Sequence, residues 1–136
     1  MKRAMGGFLA IVSIVLAQPA SAAEMKTIFV FGDSLSDGFL LKRTQAYPAL
    51  LIDKLRDAGL RFEVINASAS GDTTDGGLRR LPPHLKRKID IFILELGIND
   101  AFRGATVDEI RNNLQAVIDK VKARGAIGKK RKTVKC

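Results

Sequence analysis

Cysteine occurs once in the 136 residues, as the last residue Cys136, and histidine occurs once, as His84. A single thiol excludes an internal disulfide and any cysteine-based metal site. A single imidazole leaves one candidate for the histidine base that serine chemistry uses near neutral pH. Long apolar runs are scarce as well. One stands at the amino terminus, from about Ala4 to Ala17, and it falls short of the ~20 residues that a membrane-spanning helix needs. Lys2 and Arg3 precede it, and Pro19 and the small residues from Ala20 to Ala23 follow. This charged, apolar, small-residue order is that of a secretory signal peptide. Residues 1–23 therefore read as a leader cleaved after Ala22 or Ala23, and the mature chain as an exported protein, periplasmic or secreted, without a stable membrane anchor.

Acidic residues are missing from Lys120 to Cys136, which hold 8 basic ones. Residues 24–119 carry 13 Lys/Arg against 14 Asp/Glu, so the formal net charge of +9 describes the two ends and not the body. A basic tail can hold phosphate backbones or anionic lipid by screened, sequence-independent attraction. No aromatic residue interleaves it for stacking on bases. The tail reads as solvated, and nucleic acid is not expected as a partner. With 46% hydrophobic and 27% charged residues, the composition is that of one globular domain.

The order of elements is legible in the middle of the chain. "MKTIFVFG", from Met25 to Gly32, reads as a buried strand. "YPALLIDKLRDAG" reads as a helix with Leu50, Leu51, Lys54, Leu55 and Ala58 at helical spacing, stopped by Gly59. "FEVINA", Phe62 to Ala67, is a second strand, and "DIFILELG", Asp90 to Gly97, a third; such nearly continuous apolar runs suit strands covered on both faces. "TVDEIRNNLQAVIDKVKARG" is a helix in which Thr106 and Glu109 form a capping box. Its stripe is Val107, Ile110, Leu114, Val117, Ile118 and Val121, and Gly125 closes it. Alternating strands and helices predict a parallel sheet with helices on both faces.

In such a sheet ligands bind beyond the carboxyl ends of the strands. Three polar clusters fall there: "GDSLSDG" after the first strand, "SASGDTT" after the second and "GIND" after the third. Ser34 offers a hydroxyl nucleophile and its own N–H. Gly71, without a Cβ, can bring a second N–H close to a ligand. Asn99 carries a neutral amide donor. Together they describe an oxyanion hole for acyl transfer, in which deleting one donor costs roughly 3–4 kcal/mol. An anion-binding turn of flavodoxin type is the competing reading of the first cluster, and Asp33 and Asp37 argue against it because two carboxylates repel an anion.

"GDSLSDG", the glycine of "SASGDTT", and "GIND" resemble the first three sequence blocks of the SGNH, or GDSL-type, hydrolases, and the flanking sequence is similar to the exported arylesterases and lysophospholipase/thioesterases of that superfamily. The resemblance runs from about Lys26 to Gly125. It implies a flavodoxin-like three-layer α/β/α sandwich on a parallel sheet and a serine ester hydrolase. Ser34 would be its nucleophile, and Ser34, Gly71 and Asn99 its oxyanion-hole members. It implies a small acyl ester or thioester as substrate and no metal or organic cofactor.

The family's remaining signature is a carboxyl-terminal Asp-x-x-His, and this sequence contains none. His84, in "LPPHLKRK", falls between the second and third blocks and reads as an exposed loop histidine. After about Ala126 the family pattern of a further apolar strand gives way to "IGKKRKTVKC". Residues 24–125 therefore read as the amino-terminal portion of the hydrolase domain, residues 126–136 as a non-homologous basic tail, and the chain as truncated or frameshifted, with its carboxyl-terminal part missing. A chain of this kind is expected to be inactive as it stands. A catalytically dead module that holds acyl ligands in the same cleft is the alternative.

Overall fold

Side-chain alternation decides which face of the sheet each strand residue meets. In the computed structural model, which describes residues 24–125, three strands form one parallel sheet: β1 (Lys26–Gly32), β2 (Phe62–Asn66) and β3 (Ile91–Glu95), in the order β2-β1-β3. The helices are α1 (Ser34–Asp37), α2 (Tyr47–Asp57), α3 (Thr74–His84), α4 (Ile98–Phe102) and α5 (Val107–Ala123). In the ladder Phe29 lies between Ile65 and Phe92. Phe29 and Phe31 face the larger core, where Leu81 of α3, Leu85, Ile89, and Val117 and Val121 of α5 close over them. Ile28 and Val30 point the other way and are also buried. On that face Val64, which pairs with Ile28, joins Ala46, Ala49 and Ile52 in lining a cleft of about 240 Å³ under α2. β1 is thus covered on both sides, which is why its apolar run is unbroken. No helix among the described residues is long and apolar enough to cross a membrane. Residues 1–23, read as a leader, and residues 126–136, read as a non-homologous basic tail, lie outside the described residues.

Local chemistry sets the helix ends as the sequence predicts. The Thr106 N–H donates to Glu109 Oε2 at 2.7 Å, and the Glu109 N–H returns a bond to Thr106 Oγ1 at 3.3 Å, the reciprocal pairing that starts α5. After α2, Gly59 adopts φ +70° and lets the Leu60 N–H reach the Leu55 carbonyl at 2.9 Å.

Between β2 and β3 the sequence predicts no more than a helix-like loop, whereas the segment from Thr74 to His84 is a regular helix. It is helix α3, started by Thr73, whose hydroxyl accepts from the Gly76 N–H at 3.1 Å. The pairs Gly76-Gly77 and Pro82-Pro83 have low helix propensity and hide the signal. Burial of Leu78, Leu81 and Leu85 at helical spacing overrides it. Gly77 is needed there for contact: a Cβ would lie 2.4 Å from Leu96 Cδ1. His84 is accordingly not an exposed loop residue. It ends α3 half-buried, its ring 5.4 Å from that of Phe29 and 5.8 Å from that of Phe31.

Candidate active site

Because the strands are parallel, the turns after β1, β2 and β3 all leave the same end of the sheet. The first is built on a buried aspartate. Asp33 Oδ1 accepts from the Leu35 N–H at 3.0 Å and caps α1, while the Asp33 N–H donates to the Glu95 carbonyl at 3.1 Å. Ser34 is the first residue of α1, where backbone donors have no partner in the helix. Its N–H donates to no acceptor among the described residues, and its carbonyl accepts from Gly38 and Phe39, each at 3.0 Å.

Beneath this turn lies a polar cluster. Ser36 Oγ donates to Glu95 Oε2 at 2.8 Å and lies 3.0 Å from the Tyr47 hydroxyl, and Asn66 Nδ2 donates to the Ser36 carbonyl at 2.8 Å. Gly32 makes room for it: a Cβ there would fall 2.6 Å from Ser36 Oγ and 2.8 Å from Glu95 Oε2. Burial pushes the Glu95 carboxyl above the usual carboxylate range; the Ser36 hydroxyl partly offsets this, and the neighbouring Asp33 charge adds to it. Burial raises the Tyr47 phenol in the same way.

The second and third turns are tied to the first and to each other. Ser70 donates to Asp37 Oδ2 through its N–H at 3.3 Å and its hydroxyl at 2.6 Å. Gly71 has φ +81°, and no atom lies within 4 Å of where its Cβ would be, so the left-handed backbone and not crowding calls for glycine. The Gly71 N–H also donates to no acceptor among the described residues. Asn99 Nδ2 donates to the Asp72 carbonyl at 2.8 Å, using one of its two amide hydrogens. Buried Asp100 accepts from the Thr74 N–H at 2.8 Å and hydroxyl at 2.5 Å, and Asn113 donates to the same hydroxyl at 3.1 Å. Arg103 reaches the Gly71 carbonyl at 3.1 Å.

One side chain fastens the second turn to the end of β1, and the Asn99 bond to Asp72 adds the third. Arg80 donates through Nε to Asp72 Oδ2 at 2.5 Å and through Nη2 to the Gly32 carbonyl at 3.1 Å. Its Nη1 bonds the Ala67 carbonyl, and its guanidinium lies 3.8 Å above the Phe31 ring. The turns bearing Ser34, Gly71 and Asn99 are thereby brought together. His84 is not among them. Thr74, at the start of α3, bonds Asp100 in the site, and His84 is ten residues further along, about 15 Å down the helix. Burial against the phenylalanines, then the charges of Arg80 and Arg87, hold its imidazole below the ordinary histidine value.

Residues 30–133 match the GDSL-like Lipase/Acylhydrolase family. The chain belongs to this family. It is 42% identical over 123 residues to esterase TesA of Pseudomonas aeruginosa, covering 90% of this chain and 59% of that protein. It is 41% identical over 119 residues to an arylesterase of Vibrio mimicus, covering 85% and 60%. Against thioesterase 1/protease 1/lysophospholipase L1 of Escherichia coli K12 the identity is 40% over 114 residues, covering 83% and 52%. A crystal structure of TesA superposes with a TM-score of 0.71 at 42% identity, over 74% of this chain and 56% of that one. The chain thus has the α/β architecture of its GDSL relatives and spans little more than half of their length.

Several residues that build this candidate site escape a reading of the sequence. Glu95 left a trace, as an acid at the end of an otherwise apolar strand. Arg80 left none, since it sits in a basic stretch that looks like solvated surface. Ser36 and Tyr47 carry no signal apart from their partners.

Proposed function

We propose that this chain carries the nucleophile and oxyanion side of an ester-hydrolysing site, with small acyl esters or thioesters as the substrate class. Ser34 Oγ attacks the acyl carbonyl carbon, its proton passes to a histidine base that this sequence lacks and a family Asp-x-x-His segment would supply, and the carbonyl π electrons move onto oxygen. The Ser34 N–H, the Gly71 N–H and the Asn99 amide take up that negative charge. Collapse of the intermediate expels the alcohol or thiol, which takes the proton from that histidine; water then gives a proton to the same base, attacks the acyl carbon and releases the acid, and Ser34 regains its proton. The observation that supports this reading is the pair of backbone N–H groups without acceptors among the described residues, at Ser34 and Gly71, in turns that Arg80, Asp37 and Asn99 hold together. The relatives named esterase, arylesterase and thioesterase support the same substrate class. The apolar leader supports export as the route to it.

The serine proton is the weak link. The sequence has no Asp-x-x-His, and His84 stands at the far end of α3. In subtilisin, loss of the catalytic histidine costs about 2 × 10⁶ in kcat, while binding and the oxyanion hole leave a residual ~10³–10⁴ over water. We therefore expect the chain by itself to hydrolyse p-nitrophenyl acetate barely above background. Supplying a family carboxyl-terminal segment that bears Asp-x-x-His should restore turnover, and Ser34→Ala should then abolish it. Restored activity that survives Ser34→Ala would refute the nucleophile. Robust activity of the unsupplemented chain that disappears on His84→Ala would show His84 to be the base and refute its exclusion from the site. Binding of an acyl ligand without labelling of Ser34 by a fluorophosphonate, even with the segment supplied, would favour an acyl-binding module.

A further inference from the structure

The two most exposed large apolar side chains among the described residues, Leu40 and Phe102, stand on either side of the candidate site. Leu40 is 89% exposed and has φ +65°, a left-handed backbone that a non-glycine residue adopts rarely. The turn that presents it is pinned: the Gly38 and Phe39 N–H groups bond the Ser34 carbonyl, and the Leu41 N–H bonds the Gly38 carbonyl at 2.9 Å. Phe39 and Leu41 on either side are exposed too. Across the site, α4 ends in Phe102, which is 79% exposed. The two tips flank one polar loop, since Ser70 bonds Asp37 beside the first tip and the Gly71 carbonyl takes Arg103 beside the second.

Charge follows the same outline. Residues 38–52 and 101–107 contain no acidic residue, and Lys42, Arg43 and Arg103 are exposed. Of the carboxylates beside the tips, Asp37 is turned to Ser70 and Asp72 to Arg80. Protein–protein interfaces place an apolar core inside a polar rim. Here the order is reversed, with apolar tips around a polar centre. A lipid surface accepts such tips without a complementary shape and sets anionic headgroups against the flanking cations.

We propose that the Phe39–Leu41 turn and the Phe102 end of α4 form a docking surface that seats the mouth of this site on an anionic lipid surface. The docking is peripheral and reversible, and it does not depend on Ser34 being a nucleophile. It would present lipid acyl esters to the turn that holds Ser34.

The lone cysteine makes the test direct. In the full chain with Cys136→Ser, an environment-sensitive dye is attached at Leu40→Cys, at Phe102→Cys or, as a control at the exposed far end of α2, at Asp57→Cys. Vesicles of equal phosphatidylglycerol and phosphatidylcholine should shift the emission at positions 40 and 102 to the blue and expose it to quenching by acyl-chain nitroxide lipids. Position 57 should not respond. Raising the salt to about 0.5 M, which shortens electrostatic reach, should weaken the response at least tenfold. Chain that sediments with vesicles while dyes at 40 and 102 stay unquenched would show that only its ends touch lipid, and would overturn the proposal. A blue shift that grows with protein concentration in the absence of vesicles would make the surface an interface between copies, and would overturn it as well. Equal response to pure phosphatidylcholine would overturn the anionic assignment.

Discussion

Truncating Arg80 tests how firmly one side chain holds the first two turns to the sheet. Arg80→Ala removes the ion pair to Asp72, the bonds to the Gly32 and Ala67 carbonyls, and the stacking on Phe31. Breaking a fully buried pair by removing one partner costs about 3–5 kcal/mol. The side chains here are 25% and 12% exposed, so water can partly replace the guanidinium, and we expect the lower end, about 3 kcal/mol. Arg80→Lys keeps a charge that can satisfy one acceptor, but loses the fork and the planar stack. A charge-assisted bond is worth ~1.5–3 kcal/mol, so Lys should recover about half. Urea unfolding followed by far-UV circular dichroism reads this: with m of about 1–3 kcal/mol/M, the midpoint for Arg80→Ala should fall by roughly 1–3 M. Asp72→Ala in the Arg80→Ala background should add little, because the pair acts as one unit. A loss below about 0.5 kcal/mol, the level of an ordinary surface substitution, would refute the assignment of Arg80 as the fastening.

Three further perturbations bear on the same structure. Because burial and Asp33 raise the Glu95 carboxyl, the fold favours its neutral form; stability is full below the ordinary carboxylate range and falls as pH rises through the raised value. Glu95→Gln should flatten that decline in melting temperature between about pH 4 and pH 8, and an unchanged slope would count against a perturbed Glu95. His84 is shifted the opposite way, so stability should fall as pH drops below the ordinary imidazole value. His84→Leu should remove that acid limb in melts from about pH 7 to pH 5, a result that a solvent-exposed histidine would not produce. Gly32→Ala drives a methyl into Ser36 Oγ and Glu95, and such overpacking costs about 1–3 kcal/mol. A thermal melt indistinguishable from the parent would show that the cluster under the first turn is loose.

What could be read in the sequence was what one segment decides for itself. The unbroken apolar run of β1 and the capping box of α5 are local facts, and each element stands where those facts place it. Strands that are covered on both faces imply a parallel sheet, and a parallel sheet sends the turns of Ser34, Gly71 and Asn99 to one end. That much required no coordinates. α3 was hidden because Gly76, Gly77, Pro82 and Pro83 disfavour a helix locally, and only the contact of Gly77 with Leu96 and the burial of Leu81 favour it. His84 looked like a loop residue for the same reason, and its distance from Ser34 emerged only from the direction in which α3 runs. Arg80 and the Gly32 carbonyl are 48 positions apart, and Ser36 and Glu95 are 59 apart. No window of sequence contains both members of either pair. Propensity and periodicity act between neighbours along the chain, so they determined the elements and the end of the sheet where the site lies. The charges and hydrogen bonds that hold the site act between neighbours in space, and the tertiary structure alone decided them.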